Sequence, residues 1–199
     1  MNSSFINRKD RIIASAIEII NEAGLASLTT KTLAMKENMS ESLLYRYFGG
    51  IDEVLVEVVD TYTKFDKAML ATIEAKSISH FNKALELFRT LSTYYEGYKE
   101  MSVIVLNYEG LLHNVNTREA IAKCISMRTD FFRTEIQAAI DEKEIIDTYT
   151  AEELTCIFFG AMERDLLRRR ICNDNKSHEQ VASSLLEKLE MMLRRKENI

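Results

Sequence analysis

Leu28-Thr29-Thr30-Lys31-Thr32-Leu33-Ala34-Met35-Lys36-Glu37-Asn38-Met39-Ser40-Glu41-Ser42-Leu43-Leu44-Tyr45-Arg46-Tyr47-Phe48 is the stretch on which the reading of this chain turns. Thr29 is placed to cap a short helix over 30–37, whose Leu33 faces a core. Ala34 is small enough to let a second helix cross closely. Asn38 is a residue type that tolerates the left-handed backbone of a sharp turn. Met39 plugs the turn and Ser40 caps a second helix, in which Leu44 and Phe48 point inward. Glu41, Ser42, Leu43, Arg46 and Tyr47 are left on other faces, with Tyr45 at a boundary. Two short helices with a polar outer face on the second are the pattern of a helix-turn-helix DNA reader.

Upstream, Ile12, Ile13, Ala16, Ile17 and Ile20 form an apolar stripe at helical spacing, and Gly24 supplies the stop. Arg8, Lys9 and Arg11 sit at the end of this helix that its dipole disfavours for cations. A nearby phosphate backbone accounts for them, and so does a solvated basic N-terminus. Downstream, Gly49-Gly50 ends the unit and a long helix begins at Ile51. It carries Val54, Leu55, Val58, Val59, Tyr62, Phe65, Met69 and Ile73 at spacings of three and four. Further helices are expected near 78–96, 98–112, 117–143, 150–171 and 177–196. With no proline and 6 glycines in 199 residues, the chain reads as all-α, with about nine helices. The division expected is 1–50 as a DNA-binding domain and 51–199 as a second helical domain.

The net charge of −5 excludes a protein that coats nucleic acid over its whole surface, but not a local footprint. Residues 1–51 are close to neutral, so the acid lies away from the candidate reader. Cys124, Cys156 and Cys172 form no Cys-x-x-Cys pair and read as buried, reduced thiols. Neither a signal-peptide core nor an apolar run of about 20 residues is present, so a cytoplasmic protein is expected. No cofactor or metal is called for.

From about Arg11 to Leu55 the chain resembles the tetracycline-repressor (TetR) family of bacterial regulators. The resemblance is carried by Ile12, Ala16, Gly24, Thr29-Thr30, Leu33-Ala34, Ser40 and the run Leu44-Tyr45-Arg46-Tyr47-Phe48. The remaining three-quarters matches in length, helix content and helix order. The resemblance implies an N-terminal three-helix head whose third helix lies in the major groove of double-stranded operator DNA. Thr30, Tyr45 and Tyr47 would then reach phosphates, with Lys31 in the same contact set. Glu41, Ser42, Leu43 and Arg46 would lie near base edges. Arg46 can fork onto a guanine or pair with a phosphate. The alternative for each tyrosine is head core with a wet hydroxyl. Where the family places a lysine at the start of the fourth helix, this chain has Ile51, which removes one phosphate contact and about one unit of salt slope.

The resemblance also implies a homodimer through the last two helices (about 150–196), bound to a palindrome, with a small-molecule effector held in the body. Val181, Leu185, Leu189 and Met192 make one stripe, widened by Ala182, Leu186 and Leu193. Gly160-Ala161, with Leu154, Ile157 and Phe158 beside them, would let a partner helix approach. Arg168-Arg169-Arg170 reads as a solvated helix end or a second DNA patch. Tyr94, Tyr95, Tyr98, Met101, Tyr108, Met127, Phe131, Phe132, Phe159 and Met162 can line an apolar cavity or form simple core. Asn107, Glu109, His113, Arg128 and Glu163 are its possible polar anchors. A largely hydrophobic effector is expected, and repression is the mode the resemblance implies.

Two other classes stand beside this one. A helical adaptor or ligand-binding protein with a weakened DNA reader is favoured by Ile51. A helical enzyme finds little support: the paired Glu-x-x-His elements of a di-iron bundle, a phosphate loop and a Ser/His/Asp set are not evident.

Overall fold

The computed structural model describes residues 7–98, 102–172 and 177–195. Among them are ten α-helices: α1 (Arg8–Ala23), α2 (Thr30–Lys36), α3 (Glu41–Leu44), α4 (Ile51–Glu74), α5 (His80–Gly97), α6 (Ser102–Leu106), α7 (Tyr108–His113), α8 (Arg118–Asp141), α9 (Ala151–Cys172) and α10 (His178–Leu193). The described residues include no strand, only one isolated bridge between Ile145 and Arg194. None of these helices is long and apolar enough to cross a membrane.

The single helix expected over 98–112 is instead two, α6 and α7, with Asn107 between them. Its backbone (φ −121°, ψ 17°) leaves the helical region, and its side-chain amide donates back to the Val103 carbonyl at 2.7 Å. An asparagine satisfied by its own preceding turn competes with helix continuation.

The chain forms two compact units. The first comprises residues up to Lys64 together with Glu100–Cys124. Its helix ends are set by the sequence: Gly24 turns at φ 85° and Asn38 at φ 51°. Thr29 accepts from the Thr32 amide at 3.1 Å and donates its own amide to Thr32 Oγ1 at 3.0 Å, a reciprocal cap. Ile12, Ala16, Leu33, Leu44, Phe48, Val54 and Val58 are all but fully buried. Gly110 leaves no spare room, since a Cβ there would stand 3.0 Å from Leu25 Cδ2.

The second unit comprises Phe65–Lys99 and Ile125 onwards, where α10 packs along α5 and beside α9. Phe88, Phe132, Phe158 and Phe159 form one ring cluster with centroids 5.0–5.8 Å apart. Two helices borrow N-terminal caps from distant glutamates. Glu144 accepts from the amides of His80 (2.9 Å) and Phe81 (3.1 Å), and Glu96 accepts from that of His178 (2.9 Å).

The cysteines correct the sequence reading. Cys124 is buried, but Cys156 and Cys172 are exposed, and all three are free thiols. Both exposed thiols lie on α9, whose apolar residues occur nearly all around the helix, so neighbours in sequence did not reveal its outer side.

Candidate nucleic-acid interface and ligand cavity

Every residue read from the sequence as a DNA contact lies in the first unit. Ser40 Oγ accepts from the Leu43 amide at 3.2 Å and so starts α3. Past Leu44 the backbone tightens, with Arg46 N bonded to Leu43 O and Tyr47 N to Leu44 O, carrying the spiral on to Phe48. Burial of Leu44 and Phe48 turns the opposite side outward. Lys31, Glu41, Ser42, Tyr45 and Arg46 are exposed, Tyr45 by 54% of its surface, while Thr30, Leu43 and Tyr47 are half-buried. Thr30 Oγ1 donates to Glu41 Oε2 at 2.6 Å, so the two helix starts are tied.

Behind this face, Glu37 at the end of α2 accepts from Ser15 Oγ (2.6 Å) and Arg11 Nη2 (2.9 Å) of α1. Burial opposes ionisation of Glu37, but the Ser15 and Arg11 donors outweigh it and hold its carboxyl below the ordinary value. Lys36 pairs with Glu18 at 2.9 Å and Glu22 at 3.5 Å. Lys9 lies over the Phe48 ring, 5.1 Å from its centroid. These contacts fix the angle of α2, and hence of the turn, on α1. Asp52 accepts from Asn114 Nδ2 at 2.9 Å, and Ile51 is half-buried beside it in sequence.

The second unit contains a cavity of about 420 Å³ walled by α5, α9 and α10. Its walls are mostly apolar, including Phe88, Phe158, Met162, Leu186 and Leu189. At one place they are not. Asp165 accepts from Arg168 Nε at 2.7 Å and from His178 Nδ1 at 2.5 Å, and Ser92 lies in the same wall.

Residues 12–58 match the family model for bacterial regulatory proteins of the tetR family. The likeness to that family is carried by this head. Solved structures match nearly its whole length in fold. KstR2, a ketosteroid transcriptional regulator of Mycobacterium tuberculosis, superposes with a TM-score of 0.80 at 15% identity, over 96% of each chain. FadR of Bacillus subtilis, solved with stearoyl-CoA, gives 0.74 at 18% identity, over 90% of this chain and 96% of its own. PfmR of Thermus thermophilus gives 0.77 at 16% identity, over 94% and 100%. No curated protein matches the sequence.

Outside residues 12–58, the residues read as effector contacts are not gathered in one place. Met162 lines the cavity. Phe159 belongs to the ring cluster, and Met127 and Phe131 are half-buried on α8. Tyr98 is 61% exposed. Tyr108 and His113 belong to the first unit, His113 being exposed and 3.9 Å from Glu109. Met101 lies outside the described residues. Of the anchors, Arg128 is buried and committed: Nε and Nη2 each donate to Asp66 at 2.6 Å and Nη1 to Tyr95 Oη at 2.6 Å. The cavity takes its wall from Phe158, Ala161, Val181, Ala182, Leu186 and Leu189, which the sequence reading had given to a dimer face. A helical repeat marks these positions as apolar without saying what covers them. Two of the three arginines in the run pair within the unit, Arg168 with Asp165 and Arg169 with Glu96 at 3.3 Å.

Sequence reasoning missed the Asp165–His178–Ser92 group altogether. His178 lies 13 residues from Asp165 and 86 from Ser92, and no local pattern links them.

Proposed function

We propose that this chain is a DNA-binding transcriptional repressor that grips a palindromic operator as a homodimer and is released by a small, largely hydrophobic effector. The observation that carries it is the outward face of α3, where Ser42, Tyr45 and Arg46 stand exposed on a tetR-family head. Tyrosine and threonine hydroxyls suit phosphate oxygens and set register, and Arg46 suits a base edge or phosphate. Ile157, Gly160, Leu167 and Ile171 lie at helical spacing along the exposed side of α9. With Leu185, Met191 and Met192 exposed on α10, they supply the apolar face of a four-helix dimer. Stearoyl-CoA in FadR and the ketosteroid of KstR2's description support an effector of hydrophobic class. An effector that prefers a dimer geometry with misplaced heads weakens DNA binding, and DNA weakens effector binding by the same factor.

The test is a gel shift on DNA upstream of the chain's own coding sequence, at two salt concentrations. Saturable binding to a palindrome, weakening as salt rises, supports the reading. An absence of binding at low salt favours the adaptor reading that Ile51 raises.

A further inference from the structure

Among the described residues, His178 Nε2 and Ser92 Oγ have no hydrogen-bond partner, and both residues line the α5/α9/α10 cavity. Their residues are 0% and 3% exposed. A buried polar atom left unpaired is costly, commonly by about 1–3 kcal/mol, and here both occur in one otherwise apolar enclosure. Its volume of about 420 Å³ lies within the range of sites that enclose a small organic molecule.

The protonation pattern selects the ligand. Asp165 accepts from Arg168 Nε and faces His178 Nδ1 at 2.5 Å, an arrangement met by the tautomer that carries its proton on Nδ1. Burial, assisted by the positive field of Arg169, holds the ring below its ordinary pKa against the pull of Asp165 and Glu96, so it is neutral at pH 7.5. Nε2 is therefore a lone pair that needs a donor, while the Ser92 hydroxyl needs an acceptor or a donor. A carboxylate offers only acceptors and would meet the Nε2 lone pair. A ketone cannot donate either. An alcohol does both with one oxygen.

We propose that this cavity binds an uncharged apolar molecule bearing a hydroxyl, which donates to His178 Nε2 and is steadied by Ser92 Oγ. The proposal rests on reading the second unit as a ligand-binding body, and it names the ligand class that body takes.

The test is calorimetric titration of the full chain at pH 7.5 with three probes built on a ten-carbon chain: 1-decanol, decyl methyl ether and decanoate. Decanol is expected to bind about tenfold or more tightly than the ether, the worth of one buried donor, and more tightly than decanoate. His178→Gln should reduce the alcohol's advantage while leaving the ether unchanged, whereas Ser92→Ala should weaken both, because an ether oxygen also accepts from that hydroxyl. Ala182→Phe should abolish binding of all three. Equal binding of alcohol and ether to the natural chain overturns the hydroxyl assignment without need of a variant. So does tighter binding of decanoate. No binding of any probe, or binding that survives Ala182→Phe, overturns the site. A gel shift without probe reports on the regulator reading separately: operator binding alongside failed titrations sinks only this cavity. Titration that succeeds while decanol leaves operator affinity unchanged upholds the cavity and sinks the effector role.

Discussion

Thr30 and Glu41, the first residues of α2 and α3, are joined by a 2.6 Å hydrogen bond from hydroxyl to carboxylate. The bond ties a proposed phosphate donor to a proposed base reader, across the turn that sets the angle between their helices. It also places a negative charge on a face meant for DNA.

Glu41→Gln keeps an acceptor for Thr30 and removes that charge. The variant should bind unrelated DNA more tightly, by roughly three- to tenfold at low salt, and discriminate less among sites. Gel shifts on operator and scrambled DNA measure this. Unchanged affinity for both would mean that Glu41 stays clear of the duplex.

Arg46 and Ile51 test the electrostatic part. If Arg46 reads a guanine, Arg46→Ala should cost about 1–3 kcal/mol and relax one operator position; if it holds a phosphate, the salt slope should fall by about one. Ile51→Lys restores the cation the family places there and should steepen the slope by about one while tightening binding on every sequence. Affinity titrations over a salt series separate these outcomes.

The Asp66–Arg128 pair is buried and bidentate. Asp66→Ala leaves a guanidinium without its carboxylate and should destabilise the fold by about 3–5 kcal/mol. Replacing both residues with apolar ones of matching volume should restore most of that loss. Urea unfolding of the single and double variants is the measurement.

The two histidines of the second unit should give opposite pH dependences. His178 is held below its ordinary pKa by burial, against the pull of Asp165 and Glu96 and with Arg169 assisting. Its unfolded form takes up a proton near pH 6.5, so its contribution is present above that value and is lost as pH falls. His80 is raised by its hydrogen bond to Glu135 (2.7 Å), with Glu142 and Glu144 adding to it against partial burial. Its contribution is full below about pH 6.5 and is lost as pH rises through its folded pKa. In melting curves from pH 5 to 8.5, the gap between natural chain and His80→Gln should narrow toward alkaline pH. The gap for His178→Gln should narrow toward acid.

Local chemistry alone was enough to place the head. Thr29, Asn38, Ser40 and Gly24 act within three or four residues of themselves, and a cap or a left-handed turn depends on nothing farther away. The inward positions Leu33, Leu44 and Phe48 follow from helical spacing for the same reason. The long stripe of α4 was equally legible, since Val54, Val58, Tyr62, Met69 and Ile73 are buried as their period requires.

Beyond that range, tertiary structure decided. The period of α10 showed that Val181, Leu186 and Leu189 are apolar, but only the placement of α5 and α9 made them a cavity wall. Arg128 read as an available anchor because nothing nearby in sequence announces Asp66 or Tyr95. The grouping of Ser92, Asp165 and His178 depends on three helices meeting, a long-range event with no signature in any one of them. Hydrogen-bond geometry within one turn is written in neighbouring residues; burial is a property of what the rest of the chain brings to cover them.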